Sequence, residues 1–562
     1  MKQPKSGLLT DVTSRYLAGP NLPVKPLSDA QRLQVAAELM TLTVTELEAA
    51  NALQASGSKY RIPDDVSPYQ VAELILHFED IANILMNPTD MNTVKLGLYQ
   101  HDGPAKGTYV LNAQAIRQLV RTYAPSFTKN EVAEAVDILE AKAIVRDRTR
   151  MPELVPVNNG VFDYKQKVLL DFTPDYVFLS KCQADYNPNS VNPVIHNDED
   201  NTDWDVESWL SELSDDPEIV GLLWQIIGAV VRPFVPWNKS AWLYSTKGNN
   251  GKGTFCALLR NLLGPGAWAG IPLNAFGKDF QLDSLLTTTA IINDENDVGD
   301  LIDKAGVLKS IVTQDVFMIN PKYEKAYSFQ FFGYMVQCFN EYPRIKDKSD
   351  SMARRILLIP FDKCFTGAER KYIKTDYLAR KDVLEYVLFK VLNMNYYELS
   401  TPAACAVLLN EYKTYNNPLR EFLDDILPNA VWTLLPFDFL YALYKSWFTR
   451  NAPNGRPVNK SRLIVELQDL VPEYGWAMPD KSTDGKFKKI WAKGRIQNPE
   501  PMILEYETEQ WYNDAYRGPD PMKRAFPSHL AVSYRGIYKP LPGAVAEDGN
   551  EPDEEPFPVK DQ

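Results

Sequence analysis

One stretch limits what this chain can fold into more than any other: residues 241–264, AWLYSTKGNNGKGTFCALLRNLLG. It runs from an apolar strand, through a loop of glycine and asparagine that ends in Lys252, into an amphipathic helix. Small residues let backbone N–H groups point at a phosphate, and the lysine and the helix dipole favour the same anion. The stretch predicts a phosphate-binding loop; a plain strand-to-helix connection is the alternative.

The loop departs from the usual pattern of glycine, four residues, glycine, lysine and then serine or threonine. Thr246 stands at the first glycine, and Gly253 stands where the hydroxyl that holds Mg²⁺ is expected. Thr254 offers a hydroxyl one residue later, about 100° further round a helix, so we expect it to help hold Mg²⁺. The residues predicted to bind ATP are Gly248, Asn249, Asn250, Gly251, Lys252, Gly253 and Thr254.

Polar residues follow the next apolar strand-like runs. Asp294 and Glu295 come after TTTAIIN, at the edge of a buried parallel sheet where the phosphates would lie. We expect Asp294 to hold Mg²⁺ and Glu295 to orient and deprotonate the attacking water; a solvated acidic turn is the alternative. Asn340 ends GYMVQCFN and could bind the γ-phosphate or position the water, although asparagine also forms turns.

Two further features lie around Asn340. Arg354 and Arg355 begin the strand-like run ILLIPF, where a guanidinium could neutralise charge on a γ-phosphate, or could simply begin a basic strand. Before Asn340, VFMINPKYEKAYSFQFF predicts a β-hairpin. Cations and an aromatic near its tip suit a DNA strand, with a solvated surface hairpin as the alternative. The tip residues are Lys322, Tyr323 and Lys325.

Towards the C-terminus, PLREFLDDIL, FDFLYALYKSWFTRN and NKSRLIVELQDLV are helical patterns. Two extended runs around Asp484 and Gly485 follow them and predict a hairpin. Three helices and a basic hairpin favour a winged-helix-like DNA-binding domain over a helical lid with a charged loop. The residues expected to face DNA are Lys460 and Arg462 on the third helix and Lys486, Lys488 and Lys489 in the wing.

Composition limits the class of protein. The 562 residues should form several domains. Five scattered cysteines and four histidines argue against a zinc ribbon and against a disulfide framework. The net charge of −13 counts mildly against a nucleic-acid binder, but residues 481–495 are locally basic. Because neither a long apolar run nor an apolar leader is present, we expect no membrane association and a cytoplasmic protein.

The predicted fold is multidomain α/β, with a P-loop core built on a parallel sheet. A mixed α/β and helical region precedes this core, and a winged-helix-like domain follows it. The predicted boundaries are 1–95 for a helical region, 96–200 for a mixed α/β domain, 201–375 for the motor with a helical collar at its start, 400–510 for the winged-helix-like domain, and 511–562 for a Pro-rich acidic tail.

The series KGNNGKGTF, AIINDEND, INPKYEKAYSF, MVQCFNEYPRI and MARRILLIPF, in this order, resembles the superfamily 3 helicases. It is most similar to the helicase part of phage and mobile-element primase-helicases, which are related to the poxvirus type. The segment NNGVFDYKQKVLLDFTPDYVFLSKCQADYNP resembles the part that precedes the motor in that family. The resemblance spans most of residues 100–500.

This resemblance implies an AAA+ core, a hexameric ring and 3′ to 5′ movement on single-stranded DNA. It also implies roles for single residues. Lys252 would be the P-loop lysine, Asp294 and Glu295 the acidic pair, Lys322, Tyr323 and Lys325 the DNA-tracking loop, Asn340 the sensor, and Arg354 or Arg355 the arginine finger acting across a subunit boundary.

The predicted function is therefore an ATP-dependent, ring-shaped DNA helicase that acts on single-stranded and forked DNA, in the replication of a phage or mobile element inside a bacterial cell. The alternative is an origin-binding initiator that uses ATP as an assembly switch, with hydrolysis weakened by Gly253. A DNA-packaging ATPase is a third possibility, which the hairpin before Asn340 disfavours. Since residues 1–95 are short and free of cysteine, we expect a separate primase or polymerase as partner.

Overall fold

A computed structural model describes residues 6–55, 58–276, 278, 282–296, 301–302, 305–320, 326–345, 350–367, 369–451 and 457–540. The chain divides into two compact units, Met1–Leu409 and Asn410–Gln562, each of which is described by itself below. Over the described ranges, no helix has the length and apolar character needed to cross a bilayer.

The helices are α1 Ser6–Leu17, α2 Asp29–Ala52, α3 Pro68–Phe78, α4 Ala113–Tyr123, α5 Lys129–Lys142, α6 Val206–Glu212, α7 Pro217–Val231, α8 Lys252–Leu263, α9 Ala305–Thr313, α10 Asp350–Ala353, α11 Lys371–Thr375, α12 Lys381–Asn393, α13 Ala403–Asn416, α14 Pro418–Ile426, α15 Phe437–Asn451, α16 Lys460–Leu470 and α17 Met502–Glu505.

The strands are β1 Ile81–Leu85, β2 Val94–Tyr99, β3 Tyr109–Val110, β4 Val145–Asp147, β5 Leu154–Val157, β6 Gly160–Asp163, β7 Val168–Leu170, β8 Ile195–Asn197, β9 Thr202–Trp204, β10 Ser240–Tyr244, β11 Trp268–Ala269, β12 Ala290–Asn293, β13 Leu301–Ile302, β14 Val316–Ile319, β15 Tyr327–Gln330, β16 Tyr334–Phe339, β17 Arg344–Ile345, β18 Ile356–Pro360, β19 Leu434–Pro436, β20 Ile490–Trp491, β21 Ser533–Tyr534 and β22 Gly536–Tyr538.

The N-terminal part of the first unit packs α1–α5 against a sheet of order β3-β2-β1-β4. The sequence predicts a helical continuation through residues 81–85, but these residues form the central strand β1, and all five are buried. Helix α3 ends because Glu79 is extended, and β1 then pairs with β2 and β4. The predicted boundary at residue 95 is also corrected, because it falls inside β2, which pairs with β1.

A short meander links this part to the rest of the first unit. The segment VPVNNGVFDYKQKVLLDF, with short apolar runs around turn residues, predicts short strands and a hairpin. This is confirmed, because β5, β6 and β7 pair antiparallel in chain order. Helices α6 and α7 follow, in the stretch predicted as a helical collar. Asp216 caps the N-terminus of α7, and ten of the helix's fifteen residues are buried. A helix this apolar is stable only as part of a core, so α7 anchors the sheet described next.

The core of the first unit is a five-stranded sheet of order β11-β12-β16-β10-β18, and all of its strand pairs are parallel. The parallel sheet predicted from the apolar runs is thereby confirmed. Its strands are almost wholly buried, as expected when helices cover both faces of a parallel sheet. Because all the strands run the same way, the residues that follow β10, β12 and β16 meet at the carboxyl ends of the strands, which we call the carboxyl edge of the sheet.

The hairpin predicted around INPKYEKAYSF is present: β14 and β15 pair antiparallel. Its tip residues Lys322, Tyr323 and Lys325 lie outside the described residues. Arg148 holds the base of the hairpin. Its guanidinium donates to the carbonyls of Met86 at 2.9 Å and Gln330 at 2.7 Å. The same guanidinium lies over two rings of the hairpin region, Phe329 and Phe332.

The second unit contains the three predicted helices, as α14, α15 and α16. The turn at Asp484 and Gly485 is confirmed by a bridge between Lys481 and Phe487. Beyond that bridge the two runs separate, because each finds a partner elsewhere. Ala477 pairs with Tyr538, and β20 pairs with β21.

The predicted tail is corrected by the same pairings. A tail with little packed structure was expected from residue 511, but residues 511–540 contribute to the core of the second unit. The side chains of Ala525 and Ile537 are wholly buried there, and β22 pairs with β19. Strands β21 and β22 thus each pair with a strand from earlier in the unit, β21 with β20 and β22 with β19. The rest of the predicted tail, residues 541–562, lies outside the described residues.

Candidate nucleotide-binding site and nucleic-acid contacts

The loop between β10 and α8 has the backbone of an anion cradle. Gly251 has a φ of 87°, and a Cβ at this position would lie 2.6 Å from the Leu213 side chain, so both conformation and space require glycine. Asn249 is also left-handed, with a φ of 52°. No side chain caps the N-terminus of α8 at Gly251. The N–H of Lys252 donates to Oδ1 of Asn250 at 3.3 Å, which leaves the next N–H groups of this turn, those of Gly253 and Thr254, to bind an anion.

Lys252 begins α8 and is buried, with 6% of its surface exposed. Its Nζ donates to Oδ1 of Asn340 at 2.9 Å and to the carbonyl of Ser245 at 3.4 Å. Burial lowers the pKa of Lys252 below its ordinary value. Strands β10 and β16 are neighbours, and this explains why the sheet brings together two residues that lie far apart in sequence.

Asp294 follows β12 and forms a two-pronged ion pair with Arg260 of α8. The two guanidinium nitrogens lie 2.7 and 3.0 Å from its carboxylate oxygens. The pKa of Asp294 is lowered, chiefly by its hydrogen bond to Arg260. Arg260 was not predicted from the sequence. It lies eight residues after Lys252, about two turns further along α8, so the two side chains are on the same side of the helix.

Both carboxylate oxygens of Asp294 are occupied by Arg260, and Gly253 supplies no hydroxyl. Across the described ranges, no three His, Cys, Asp or Glu side chains gather into a group that could hold a metal ion by themselves. This arrangement does not fit direct coordination of Mg²⁺ by Asp294. Mg²⁺ held by Thr254, and by Asp294 through water, stays a prediction, and no step below depends on it.

The remaining residues of this edge differ in exposure. Glu295 is exposed, so its carboxylate is open to water. The next residue, Asn296, was missed from the sequence. Its Nδ2 donates to Oε1 of Gln337 and to the carbonyl of Cys338, both at 3.0 Å, so it joins the end of β12 to β16. The signal for this link was a glutamine inside the otherwise apolar strand MVQCF.

Arg354 and Arg355 directly precede β18, so they lie at the amino ends of the parallel strands, opposite to the phosphate-binding loop. The carbonyl of Arg355 accepts from the N–H of Ser240, the first residue of β10, at 2.8 Å. The phosphate loop follows the last residue of β10, about 15 Å away at 3.3 Å per residue. The Arg355 guanidinium donates to Oγ of Ser351 at 2.9 Å, whereas Arg354 is exposed. The structure therefore does not bring either arginine to the phosphate loop of its own chain.

The candidate DNA-facing residues of the second unit lie on its surface. Asn459 caps α16 by accepting from the N–H of Arg462 at 2.9 Å. Several of the cations have acidic partners. Lys460 pairs with Asp438, Arg462 with Glu466, and Lys486 with Asp484. Lys488 and Lys489 are exposed, and no carboxylate of the described residues lies within ion-pair distance of them.

Comparison with known proteins places matches in both units. Residues 71–215 match a family described as D5 N terminal like, residues 243–355 match a family of unknown function, DUF5906, and residues 414–506 match a family described as Poxvirus D5 protein-like. No curated protein matches the chain.

Similar solved structures include three of one protein region. "The A form apo structure of NrS-1 C terminal region-CTR" is 16% identical over 72% of this chain and 86% of that chain, with a TM-score of 0.39. A second structure in the A form, of residues 305–718, is 15% identical over 74% and 88%, with a TM-score of 0.40. "The apo structure of NrS-1 C terminal region (305-718)" is 15% identical over 70% and 98%, with a TM-score of 0.42. The two D5-like matches lie on either side of the phosphate-binding loop, and the DUF5906 match includes that loop.

Proposed function

We propose that this chain is an ATP-hydrolysing DNA helicase of replication, with an AAA+ motor of the superfamily 3 type in residues 201–375. The observation that carries the proposal is the contact between Lys252 and Asn340, 2.9 Å long, at the carboxyl edge of a parallel sheet. A lysine that begins a helix and meets a polar residue of the neighbouring strand is placed where β- and γ-phosphates would lie.

Binding of ATP exchanges one partner of Lys252 for another. Without nucleotide, the ammonium is held by Asn340 and by the carbonyl of Ser245. A phosphate is a stronger partner because it carries the opposite charge, and the low exposure of Lys252 strengthens that attraction. Asn340 is then released to bind the γ-phosphate or the attacking water. Glu295, exposed at the same edge, is the proposed general base.

We also propose that hydrolysis uses a guanidinium at the γ-phosphate, and the described residues bring neither Arg354 nor Arg355 to the loop of their own chain. Arg354 is exposed at the opposite edge of the sheet, so it can complete only the site of a neighbouring subunit. A closed ring satisfies this requirement at every interface. A homohexamer in which Arg354 acts as the arginine finger follows as part of the proposal, with Arg355 as its support through Ser351.

DNA contacts are proposed at two places. In the first unit, Lys322, Tyr323 and Lys325 would track single-stranded DNA, with movement 3′ to 5′. In the second unit, a winged-helix-like domain would contact the duplex part of a fork. The order of α14, β19, α15 and α16, followed by the turn at Asp484 and strand β22, supports such a domain. A separate primase or polymerase would act with the ring in a host cell.

One observation favours a second candidate function. Asp294 is tied to Arg260, and Gly253 supplies no hydroxyl, so the site is arranged to hold a nucleotide more readily than to hydrolyse it. An origin-binding initiator that uses ATP as an assembly switch would need no more than this. The two functions differ in turnover: the helicase hydrolyses ATP faster on single-stranded DNA, and the switch does not.

Strand displacement on a forked DNA tests the proposal. The full chain is incubated with ATP and a fork that carries one labelled strand, and compared with Lys252→Ala. ATP-dependent displacement by the wild type that is lost in the variant supports the helicase. DNA binding without displacement, and without DNA-stimulated hydrolysis, would replace it with the initiator switch.

A further inference from the structure

The segment after β18 lies against the phosphate loop at two points. We define the strap as residues 361–367 and 369–376. At its start, the N–H of Phe365 donates to the carbonyl of Asn249 at 2.8 Å. The Asn249 amide donates in turn to Oε1 of Glu369 at 2.9 Å and to Oγ1 of Thr366 at 3.3 Å. The strap therefore helps to hold the left-handed conformation of Asn249 in the loop.

At its other end, the strap carries a lysine to the first turn of α8. A Cβ built on Gly253 would lie 3.6 Å from Nζ of Lys374. Gly253 is the position at which the loop lacks the usual hydroxyl. The ammonium of Lys374 therefore lies beside Gly253 in the first turn of α8.

Helix α11, which carries Lys374, is held in place by its neighbours. Ile373 is buried, with 4% of its surface exposed, and the Tyr372 hydroxyl donates to Asp200 at 2.6 Å. The side chain of Asn261, on α8, donates to the carbonyl of Leu378 at 3.0 Å. These contacts fix the backbone from which Lys374 reaches the loop.

Lys374 is an exposed residue of α11. Over the described ranges, no carboxylate lies within ion-pair distance of its Nζ. It acts on Asp294 at longer range, as a smaller contributor than Arg260 to the low pKa of that carboxyl. An ammonium that faces an anion cradle and has no carboxylate partner is placed to receive a phosphate.

We propose that Lys374 is a second phosphate-binding lysine, which contacts the β- or γ-phosphate of a bound nucleoside triphosphate from the side opened by Gly253. Lys252 and Lys374 would then hold the phosphates from two elements, the helix after the loop and the strap after the last strand. This inference rests on the proposed function, because it requires that the loop binds a nucleotide.

Equilibrium binding of ATP to the full chain tests this role. Lys374→Met should weaken ATP binding about tenfold, the usual loss for one hydrogen bond between charged groups. Lys374→Arg, which keeps the charge, should restore most of the affinity. Lys371→Met removes an exposed lysine from the same helix and should bind ATP as the wild type does. Thermal unfolding of each variant confirms that α11 is still packed.

The outcomes separate the two proposals. If the wild type and Lys252→Ala both fail to bind ATP, the proposed function and the role of Lys374 are overturned together. If Lys252→Ala loses binding but Lys374→Met binds as the wild type does, the role of Lys374 alone is overturned. The same follows if Lys374→Arg is as weak as Lys374→Met, since a lost charge would then not be the cause. A parallel titration with ADP assigns the phosphate: an equal loss indicates the β-phosphate, and a loss confined to ATP indicates the γ-phosphate.

Discussion

The candidate site of the first unit and the candidate surface of the second differ in how their charges are arranged. At the carboxyl ends of the strands, Lys252 meets Asn340, and Arg260 meets Asp294. Each pair joins helix α8 to a residue that follows a different strand, β16 for Asn340 and β12 for Asp294. On the second unit, two of the candidate cations pair locally: Arg462 with Glu466 one helical turn away, and Lys486 with Asp484 two residues away. Lys460 pairs at the surface with Asp438 of α15.

The difference teaches what each arrangement can do. A buried or half-buried contact between distant elements exists only if the fold is intact, and its geometry suits a single ligand. An exposed pair is worth about 1 kcal/mol or less, so a phosphate replaces the carboxylate easily, wherever the phosphate lies. The first region is organised for chemistry at one point, and the second for attraction along a surface.

The largest expected effect is on ATP hydrolysis, from changes to the buried contact of the first unit. Lys252→Ala should lose ATP hydrolysis altogether, and Asn340→Ala should lower the rate of hydrolysis by about a hundredfold, the usual loss for one positioned polar group. Steady-state ATPase assays measure both. The control is Lys239→Ala, which removes a half-buried lysine that precedes β10, at the end of the sheet away from the loop, and should leave the rate unchanged. A rate in Asn340→Ala equal to that of the wild type would remove Asn340 from the site.

A mixing experiment sharpens the comparison for Arg354. Arg354→Ala should lower hydrolysis about a thousandfold, the lower end for a lost arginine finger. Since the finger is proposed to act across subunits, mixing Arg354→Ala with the inactive Lys252→Ala should restore part of the activity. In the mixed ring, some interfaces hold an intact lysine and an intact arginine. If mixing restores nothing while the variants still assemble together, the finger does not act across the interface.

The pair of Arg260 and Asp294 predicts a change in stability with pH. The pKa of Asp294 is lower in the folded protein than in the unfolded chain, so the pair stabilises the fold above the ordinary aspartate pKa of about 4. That stabilisation is lost as the pH falls through the folded pKa. Arg260→Gln should reduce the free energy of unfolding by about 1–2 kcal/mol at pH 7, with less difference at low pH.

Denaturant unfolding at several pH values measures this effect. The matched control is the double variant Arg260→Gln with Asp294→Asn, which removes both charges and should recover part of the loss. A destabilisation of Arg260→Gln that stays the same from pH 7 to low pH would show that the ion pair is not its cause.

The smallest expected effect lies on the second unit. Replacing both Lys488 and Lys489 by alanine should make the plot of log affinity for duplex DNA against log salt concentration less steep. Each lost phosphate contact lowers the slope by about 0.9, so the two together lower it by nearly two. Lys460→Ala should change it less, because Lys460 already pairs with Asp438. Fluorescence anisotropy over a salt series measures both slopes. Equal slopes for the wild type, the double variant and Lys460→Ala would show that the DNA contacts of this unit lie elsewhere.

The sequence predicted the core of the first unit well because its signal is periodic and local. Buried parallel strands are apolar throughout, and each is followed at the same edge by its polar residue, so Lys252, Asp294 and Asn340 could be assigned to one edge. Their common position follows from strand direction alone. The meander β5–β7 and the helices α14–α16 were equally clear from turn residues and apolar spacing.

What the sequence could not predict depends on contacts over long separations. Residues 81–85 read as a helix because five apolar or small residues suit either element, and only pairing with β2 and β4 decides for a strand. The packing of residues 511–540 was missed because proline and polar residues dominate them, although Ile537 completes a core. Lys374 could not be found because nothing in a lysine of a short helix indicates the loop it reaches.

The attachment of the β14–β15 hairpin has a mechanical consequence. Arg148, in the chain that follows β4, is bonded directly to the carbonyl of Gln330 in β15. A load applied to the hairpin is therefore shared between two routes: the parallel sheet that carries the nucleotide loop, and the N-terminal region through one side chain. A partner that binds the N-terminal region would therefore restrain or move the hairpin through Arg148, without contacting the phosphate-binding loop.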